Sequence, residues 1–370
     1  MTVQQSMKGD RTMSRVIIRS LGLAALLALA VTSAWAGSDE RKGTSGAAEL
    51  TIPVGPRGSA IGSSVASDIT GAEAIFWNPA GIAGQEGTEA LFSHTSYFAD
   101  MKVNYVALTA PGGALGTIGF NVKVLSIGDV IVTTEQAPDG TGEVVEPTFT
   151  VLGVSWARAF TDRVRFGGTV NFVNERVLDM SASGVAVDLG VQYDTGWNGL
   201  RLGMVMKNFG TSMSWSGSGL DVNTLPPGSD PSSSNRTLRF STADFEMPSY
   251  FTLAASYNAW QQGYSRLQLM GAFQNNNFGG DTFNGGAEWN YRNMFALRGS
   301  WFGTLTTTRD LLTGDDSMEF DSGDDVYQGY AFGAGMNVKT GTANMGVDFT
   351  YRPVRDFFDD TFELGLRLKF

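Results

Sequence analysis

The sequence predicts an all-β protein, a transmembrane antiparallel β-barrel of about 14 strands. Three observations support this. Apolar and polar residues alternate with a period of two from residue 88 onward, long and short connections alternate along the chain, and the last strand ends on an aromatic residue. The composition agrees, because glycine is frequent (47 of 370 residues) and charged residues make up only 17%, fewer than in ordinary soluble domains.

The first 36 residues are expected to be a cleaved signal peptide. Arg15 and Arg19 precede an apolar run at residues 21–31, and the A-W-A that ends at Ala36 fits a cleavage site. The alternative is a membrane anchor, but this run is too short to cross a hydrocarbon core about 30 Å thick. The chain is therefore predicted to leave the cytoplasm.

The residue inventory excludes several classes of function. There is no cysteine, hence no disulfide, no thiolate metal site and no thiol nucleophile. His94 is the only histidine, which is too few for a zinc site or for an ordinary triad. The formal net charge of −11 disfavours nucleic acid as a partner. We predict no enzymatic activity, no cofactor and no metal.

The length of the alternating segments separates a barrel from a secreted β-sandwich, which would alternate as well. Most segments have 11 or more residues, enough to cross a bilayer at a tilt, where about 9–11 are needed. Sandwich strands are shorter, most often about 5–6 residues. The predicted strands are residues 88–98, 101–110, 113–126, 146–159, 162–177, 180–194, 199–210, 246–259, 263–275, 281–292, 293–304, 326–339, 342–353 and 358–370.

The connections favour a barrel more strongly. Every second connection is tight, and the remaining ones include all the long loops, residues 128–145, 211–245 and 305–325. Outer-membrane barrels have short turns at one end and longer loops at the other, whereas a sandwich has no reason to sort its loops in this way. The loop at 211–245 would cover the mouth, meet a partner or simply be mobile.

The acidic loop at residues 309–328 holds six aspartates and one glutamate. Calcium binding is one interpretation, but the EF-hand spacing is absent and a solvated run of charges is the simpler one.

The last strand carries a C-terminal pattern of its own. Apolar side chains point to one face at every second position, and the chain ends on an aromatic residue. The pattern resembles the terminal signal by which outer-membrane barrels are recognised for insertion, which implies outer-membrane lipid and the barrel-assembly machinery as partners. Its residues are Phe362, Leu364, Leu366, Leu368 and Phe370.

Residues 37–87 precede the strands and do not alternate. Asp68 is predicted to N-cap a short helix that ends at Ala74 or Phe76. Asn78 is held extended by Pro79, which suits an N-cap with proline at the first helical position. We therefore predict a single helical turn over residues 79–83, closed by Gly84.

This segment carries a resemblance to a known family. The stretch GSSVASDITGAEAIFWNPAGIAG resembles the N-terminal signature of the PorV/PorQ family, a branch of the FadL-like outer-membrane barrels. In many members of that family paired acidic residues precede the aromatic, whereas here Asp68 is followed by Ile69. The resemblance implies a 14-stranded barrel, residues 88–370, with residues 37–87 folded inside its lumen as a hatch. The residues of the hatch motif are Asp68, Phe76, Trp77, Asn78, Pro79, Ala80, Gly81 and Ile82.

Charged residues at inward positions of the predicted strands are a second set of candidates. They would either latch the hatch by ion pairs or be solvated charges of a polar lumen. These residues are Arg163, Arg165, Asp188, Glu288, Arg298, Asp348, Arg367 and Lys369.

The resemblance implies a function as well. The leading hypothesis is a non-enzymatic outer-membrane barrel that serves a type IX-like secretion route by binding exported cargo domains, together with other secretion components. The alternative is a FadL-like, hatch-gated channel for hydrophobic small molecules. A third interpretation is a structural outer-membrane protein.

Overall fold

The computed structural model describes residues 41–230, 233–309, 316–324, 326–355 and 358–370, so the predicted signal peptide lies outside the described residues. The described chain forms a closed antiparallel barrel of 14 strands preceded by short helices. The strands are β1 Glu89–Ser96, β2 Lys102–Pro111, β3 Thr117–Ser126, β4 Thr148–Ala159, β5 Val164–Val177, β6 Met180–Asp194, β7 Arg201–Gly210, β8 Tyr250–Gln262, β9 Ser265–Asn276, β10 Asp281–Tyr291, β11 Phe295–Arg309, β12 Tyr330–Thr340, β13 Ala343–Arg352 and β14 Thr361–Lys369.

Each strand pairs with its neighbours in the chain, and β14 pairs with β1 to close the ring. In this seam Glu89 lies opposite Lys369 and Ser96 lies opposite Phe362. The prediction of a 14-stranded antiparallel barrel is therefore confirmed. The ladder is irregular between β6 and β7, where Lys207 and Asn208 together oppose Asp188 as a bulge.

The two ends of the barrel differ in their connections. At one end, called here the short-turn end, consecutive strands are joined by tight turns, most of which contain left-handed backbone. Arg292 and Asn293 have φ of 55° and 54° between β10 and β11, and Gly341 has φ of 60° between β12 and β13. The other end, called the long-loop end, carries the connections at residues 127–147, 211–249 and 310–329.

The polarity of the barrel wall is the inverse of a soluble protein. In β14 the outward Phe362, Leu364 and Leu366 are 45%, 50% and 46% exposed, whereas the inward Glu363 is 2% exposed. The same alternation runs through the other strands. Exposed tryptophans and tyrosines such as Trp197 and Tyr264 gather near the short-turn end. An apolar outer face bordered by aromatic residues is typical of a barrel in a lipid bilayer.

The segment before β1 lies within the ring. It comprises a 3₁₀ helix (Ala48–Leu50), α1 (Pro56–Ile61), a 3₁₀ helix (Gly62–Ser67), α2 (Ala74–Trp77) and a 3₁₀ helix (Pro79–Gly84). The helix α1 packs against β11–β13, Gly62–Ser67 against β8–β10, and Pro79–Gly84 against β4–β6. Because these contacts reach around the circumference, the segment plugs the lumen. We call residues 41–87 the hatch.

The hatch has a small apolar core of its own. Ile61, Val65, Ile69 and Ile82 have no exposed surface, and they pack with inward residues of the first strands such as Tyr105. Among the residues that the structure describes, none of the helices is both long enough and apolar enough to span a membrane.

Two local predictions were wrong. Asp68 caps no helix: α2 begins at Ala74 after Glu73, with no side-chain cap, and the Asp68 carboxylate binds arginines instead. The predicted loop at 305–325 contains regular structure, because β11 continues to Arg309 and a further strand, Asp316–Ser322, pairs with it. This hairpin extends past the barrel wall, where a strand needs no alternating apolar face to meet lipid.

Candidate functional site: the hatch and the luminal cavity

Asn78 makes the central turn of the hatch. Its backbone is extended (φ −159°, ψ 103°), and its Oδ1 accepts a hydrogen bond from the backbone N–H of Ala80 at 3.1 Å. Its Nδ2 donates to the carbonyl oxygens of Ala66 at 2.8 Å and Val191 at 3.1 Å. The predicted cap over Pro79–Gly84 is thus present, and the same side chain also joins two parts of the hatch to strand β6.

Glycines in the wall make room for this turn. A Cβ built on Gly190 would overlap Asn78 Oδ1, and one built on Gly167 would lie 2.5 Å from the carbonyl carbon of Pro79. A Cβ on Gly119 would lie 2.8 Å from Ile75 Cδ1. Gly167 therefore permits an approach of the hatch backbone that a Cβ would block, and Gly190 and Gly119 make room for the side chains of Asn78 and Ile75.

The two aromatic residues of the motif have different surroundings. Trp77 Nε1 donates to the carbonyl oxygen of Val54 at 2.9 Å, and its ring meets that of Phe76 edge to face at 5.2 Å. The Phe76 ring has the ammonium groups of Lys207 and Lys123 at 3.6 Å and 4.8 Å from its centroid. Such cation–π contacts are stronger in a desolvated interior than at a surface.

Both lysines also bind backbone carbonyl oxygens of the hatch. Lys207 Nζ donates to Phe76 at 2.5 Å, and Lys123 Nζ donates to Glu49 and Ile52 at 2.5 Å each. Sequence reasoning did not single out either lysine, although the alternation in β3 and β7 places both side chains inward. They bind backbone oxygens of the hatch, which every residue has, so the hatch sequence does not indicate these contacts.

A continuous chain of ion pairs crosses the lumen near the short-turn end. Its hatch members are Asp68 and Arg57. Arg57 binds Glu288 at 2.9 Å and Asp68 at 3.3 Å, and Asp68 also pairs with Arg201. On the wall, Arg298 joins Glu288 at 2.7 Å to Asp348 at 2.6 Å. Arg367 also reaches Asp348, at 3.5 Å. Four of the predicted luminal residues therefore meet here, namely Glu288, Arg298, Asp348 and Arg367.

The remaining predicted luminal residues lie elsewhere. Asp188 is buried at the bulge, where it accepts from Asn171 Nδ2 at 2.9 Å and from the Asn208 N–H at 2.7 Å. Arg165 is partly buried beside Gly84. Arg163 is a correction to the prediction, because β5 begins after it at Val164 and its side chain is exposed at the rim.

Burial and neighbouring charges shift the pKa values of three hatch residues. Burial, and then the neighbouring Glu175 carboxylate, raises the pKa of Glu49 to about 8. Burial raises the pKa of Glu73, although its carboxylate accepts the Gly58 N–H at 2.7 Å. Burial alone would lower the pKa of Arg57, but attraction and hydrogen bonding to Glu288 outweigh it, so that this pKa is raised. Sequence reasoning identified none of these three.

A cavity of about 550 Å³ lies above the hatch, toward the long-loop end. Its floor is hatch surface, including Phe76 and Trp77, and its polar wall includes Gln274 and Asn276, which hydrogen bond to each other at 2.8 Å. Volumes of about 300–1,000 Å³ are typical of small-molecule sites. The further aromatic residues that line it are Tyr97, Tyr250, Phe278, Phe302 and Tyr327.

The acidic loop borders this cavity. Asp324 Oδ1 accepts the N–H groups of Val326 and Tyr327 at 2.8 Å and 2.6 Å, and Asp321 pairs with Arg355 at 2.7 Å. Three other aspartates of the loop, at positions 310, 315 and 325, lie outside the described residues. Among the described residues, acidic and histidine side chains do not gather into a metal-binding cluster.

A closed 14-stranded barrel with a luminal hatch and a cavity above it defines the hatch-plugged barrel class. Solved structures match the chain over most of its length. The CymD monoaromatic hydrocarbon channel is 12% identical, with 86% of this chain and 98% of that chain covered and a TM-score of 0.52. A deltaS2 mutant of the TodX monoaromatic hydrocarbon channel is 12% identical, with 85% and 97% covered and a TM-score of 0.50.

A Pseudomonas aeruginosa FadL homologue matches as well, at 13% identity with 85% of this chain and 96% of that chain covered and a TM-score of 0.46. At these identities the likeness to CymD and TodX shows the fold. No protein-family model matches the chain, and no curated protein sequence does.

Proposed function

We propose that the protein is an outer-membrane channel for small hydrophobic molecules, kept closed by its hatch. The observation that carries the proposal is the aromatic-lined cavity of about 550 Å³ that ends on the hatch. Phe76 and Trp77, from the motif that identified the hatch in the sequence, form part of its floor. The fold that the chain shares with two monoaromatic hydrocarbon channels supports the same proposal.

The proposal includes the route by which the chain reaches its membrane. Residues 1–36 act as the cleaved signal peptide, and the alternating residues 362–370 act as the insertion signal for the barrel-assembly machinery. The outward apolar side chains of those residues then face lipid.

The hatch must yield for a molecule to pass. Below the cavity, the segment between Ala47 and Val54 carries the Glu49 carboxylate, which is buried beside the Glu175 carboxylate and has no opposite charge within ion-pairing distance among the described residues. The parts of the hatch closer to the short-turn end are held by the ion pairs of Arg57 and by the Asn78 turn. We propose that the 47–54 segment moves when the hatch opens, which breaks the hydrogen bonds that Lys123 donates to the carbonyl oxygens of Glu49 and Ile52.

Uptake measurements test the channel. Cells that express the barrel should take up naphthalene faster than cells with an empty vector, because the lumen offers a route past the polar surface of the outer membrane. Thr51→Trp fills the cavity from its floor and should return uptake to the vector level. Ser96→Trp, at the exposed end of β1, is the matched control and should leave uptake unchanged. Equal uptake with and without the barrel would overturn the proposal.

A role in secretion is the second candidate. The resemblance of Trp77–Asn78–Pro79 and its neighbours to the PorV/PorQ signature supports it, whereas the cavity and the solved structures favour the channel. It predicts that exported cargo domains co-purify with the barrel and that the secreted proteins change when the barrel is deleted. An unchanged set of secreted proteins in the deletion strain would remove this candidate.

A further inference from the structure

The charged residues around the luminal cavity are not all paired. Four charged residues line it, and three of them are already engaged: Asp321 by Arg355, Asp324 by two backbone N–H groups, and Lys42 by another group. The fourth is Arg352, the last residue of β13. It forms no ion pair with any carboxylate of the described residues.

The Arg352 guanidinium is nevertheless held in a defined orientation. Its central carbon lies 3.8 Å from the centroid of the Tyr327 ring, and its Nε is buried without a hydrogen-bond partner in the described part of the chain. A guanidinium stacked on a ring keeps its N–H groups directed sideways, in the fork that matches a carboxylate. A buried donor without a partner costs free energy, which a ligand with an acceptor group would recover.

The rest of the cavity fits an aromatic body. Tyr97 and Tyr327 stand near Arg352 with their ring centroids 6.4 Å apart, and Phe76 and Trp77 form the floor. Edge-to-face and offset contacts between aromatic rings stabilise a complex beyond the effect of apolar burial alone. A neutral hydrocarbon would leave the Nε–H of Arg352 without an acceptor.

We propose that the cavity binds aromatic carboxylates, with the carboxylate paired to Arg352 and the ring against the aromatic walls. The inference rests on the proposed channel function, since it names the ligand class of the same cavity. It goes further in giving the channel a preference for an anionic aromatic compound over the neutral hydrocarbon of the same shape.

The test compares two ligands that share a ring system, 2-naphthoate and 2-methylnaphthalene, by equilibrium dialysis against the full-length barrel in detergent. Arg352→Gln should weaken 2-naphthoate binding about 10- to 100-fold, the range for a lost hydrogen bond to a charged group. It should leave 2-methylnaphthalene unchanged. Arg266→Gln is the matched control, because Arg266 Nε is also buried without a partner among the described residues but lies outside the cavity.

The outcomes separate this inference from the channel itself. Binding of 2-methylnaphthalene with no Arg352-dependent gain for 2-naphthoate overturns the inference and leaves the channel standing. Binding of neither ligand overturns both. If Arg352→Gln does not fold, the neutral ester methyl 2-naphthoate is compared with 2-naphthoate on the unaltered protein. Equal affinity for the two compounds would overturn the inference. An affinity for the ester that is about 10- to 100-fold weaker would support it, because the ester lacks the charged hydrogen bond.

Discussion

The half of the lumen near the short-turn end is filled, whereas the half near the long-loop end holds a cavity. In the filled half, Arg57 and Asp68 of the hatch enter a chain of ion pairs, and the Asn78 turn lies against glycines of the wall. In the open half, the hatch ends in a floor of side chains, and its ion pair from Arg41 to Glu246 is largely exposed. Under the proposed channel function, the filled half is the seal and the cavity receives the ligand.

The largest expected effect comes from the ion pairs of the seal. Glu288 is 2% exposed and binds both Arg57 and Arg298. Glu288→Gln should lower the free energy of unfolding by about 3–5 kcal/mol, because it leaves buried guanidinium groups short of a counter-charge. Urea titration in detergent micelles measures this loss.

Glu246→Gln is the corresponding change in the open half. The side chains of Arg41 and Glu246 are 37% and 61% exposed, so solvent screens the pair. The loss should be about 0–1 kcal/mol, the range for a surface ion pair. Equal losses for Glu246→Gln and Glu288→Gln would contradict the distinction between the two halves.

The glycines of the wall are expected to have the next largest effect. Gly167→Ala directs a methyl group at the backbone of Pro79 and should cost about 1–3 kcal/mol, as overpacking of a filled interior does. Gly168→Ala is the adjacent control, because its Cβ would meet its nearest neighbour, Leu189 Cδ2, at 3.3 Å. Thermal unfolding of the two variants measures the difference, and a loss at Gly168 as large as that at Gly167 would refute the close approach.

The Asn78 turn should contribute less. Replacing Asn78 and Pro79 together by alanine removes a cap and two donated hydrogen bonds, and the cap alone is worth about 0.5–2 kcal/mol. We expect the hatch to loosen while the barrel stays folded. Faster protease cleavage within residues 55–85 and higher antibiotic permeability would show this, and unchanged values of both would count against it.

The most local effect is a pH dependence confined to residues 47–54. Burial and the neighbouring Glu175 raise the pKa of Glu49 to about 8, above its ordinary value of 4.5. Protonated Glu49 therefore stabilises the folded segment fully below about pH 4.5, and this contribution to stability is lost as the pH rises through 8. Hydrogen exchange of this segment should therefore be slower in Glu49→Gln than in the unaltered protein at pH 9, and about equal in the two proteins at pH 4. Hydrogen exchange, compared between the two proteins at each pH, measures it. Identical exchange at pH 9 would exclude the effect.

The barrel could be predicted because its rule is local. A strand in a barrel wall alternates between lipid and lumen, so residue parity alone identifies β14 and places Glu288, Arg298 and Asp348 inside. Parity does not fix where a strand begins, which is why Arg163 was assigned to the lumen although it precedes β5.

The hatch could be predicted only in part. The Asn78–Pro79 turn follows from backbone restrictions within two residues, and it is present. Glu288, the partner of Arg57 on the wall, is 231 residues away in sequence, and no alternation in the hatch marks which side chains meet the wall. The cavity likewise depends on how far the hatch fills the lumen, which strand patterns do not reveal.

The seam between β1 and β14 has a consequence for assembly. Glu89 on β1 accepts the N–H of Ala72 at 2.9 Å, and Glu363 on β14 accepts the N–H of Gly55 at 2.6 Å. The first and last strands thus each hold the segment that the ribosome makes before either of them. A closed barrel admits a folded hatch only through one of its two ends, or before β1 and β14 have paired. The order in which the hatch folds and the ring closes is therefore a constraint on how this chain matures.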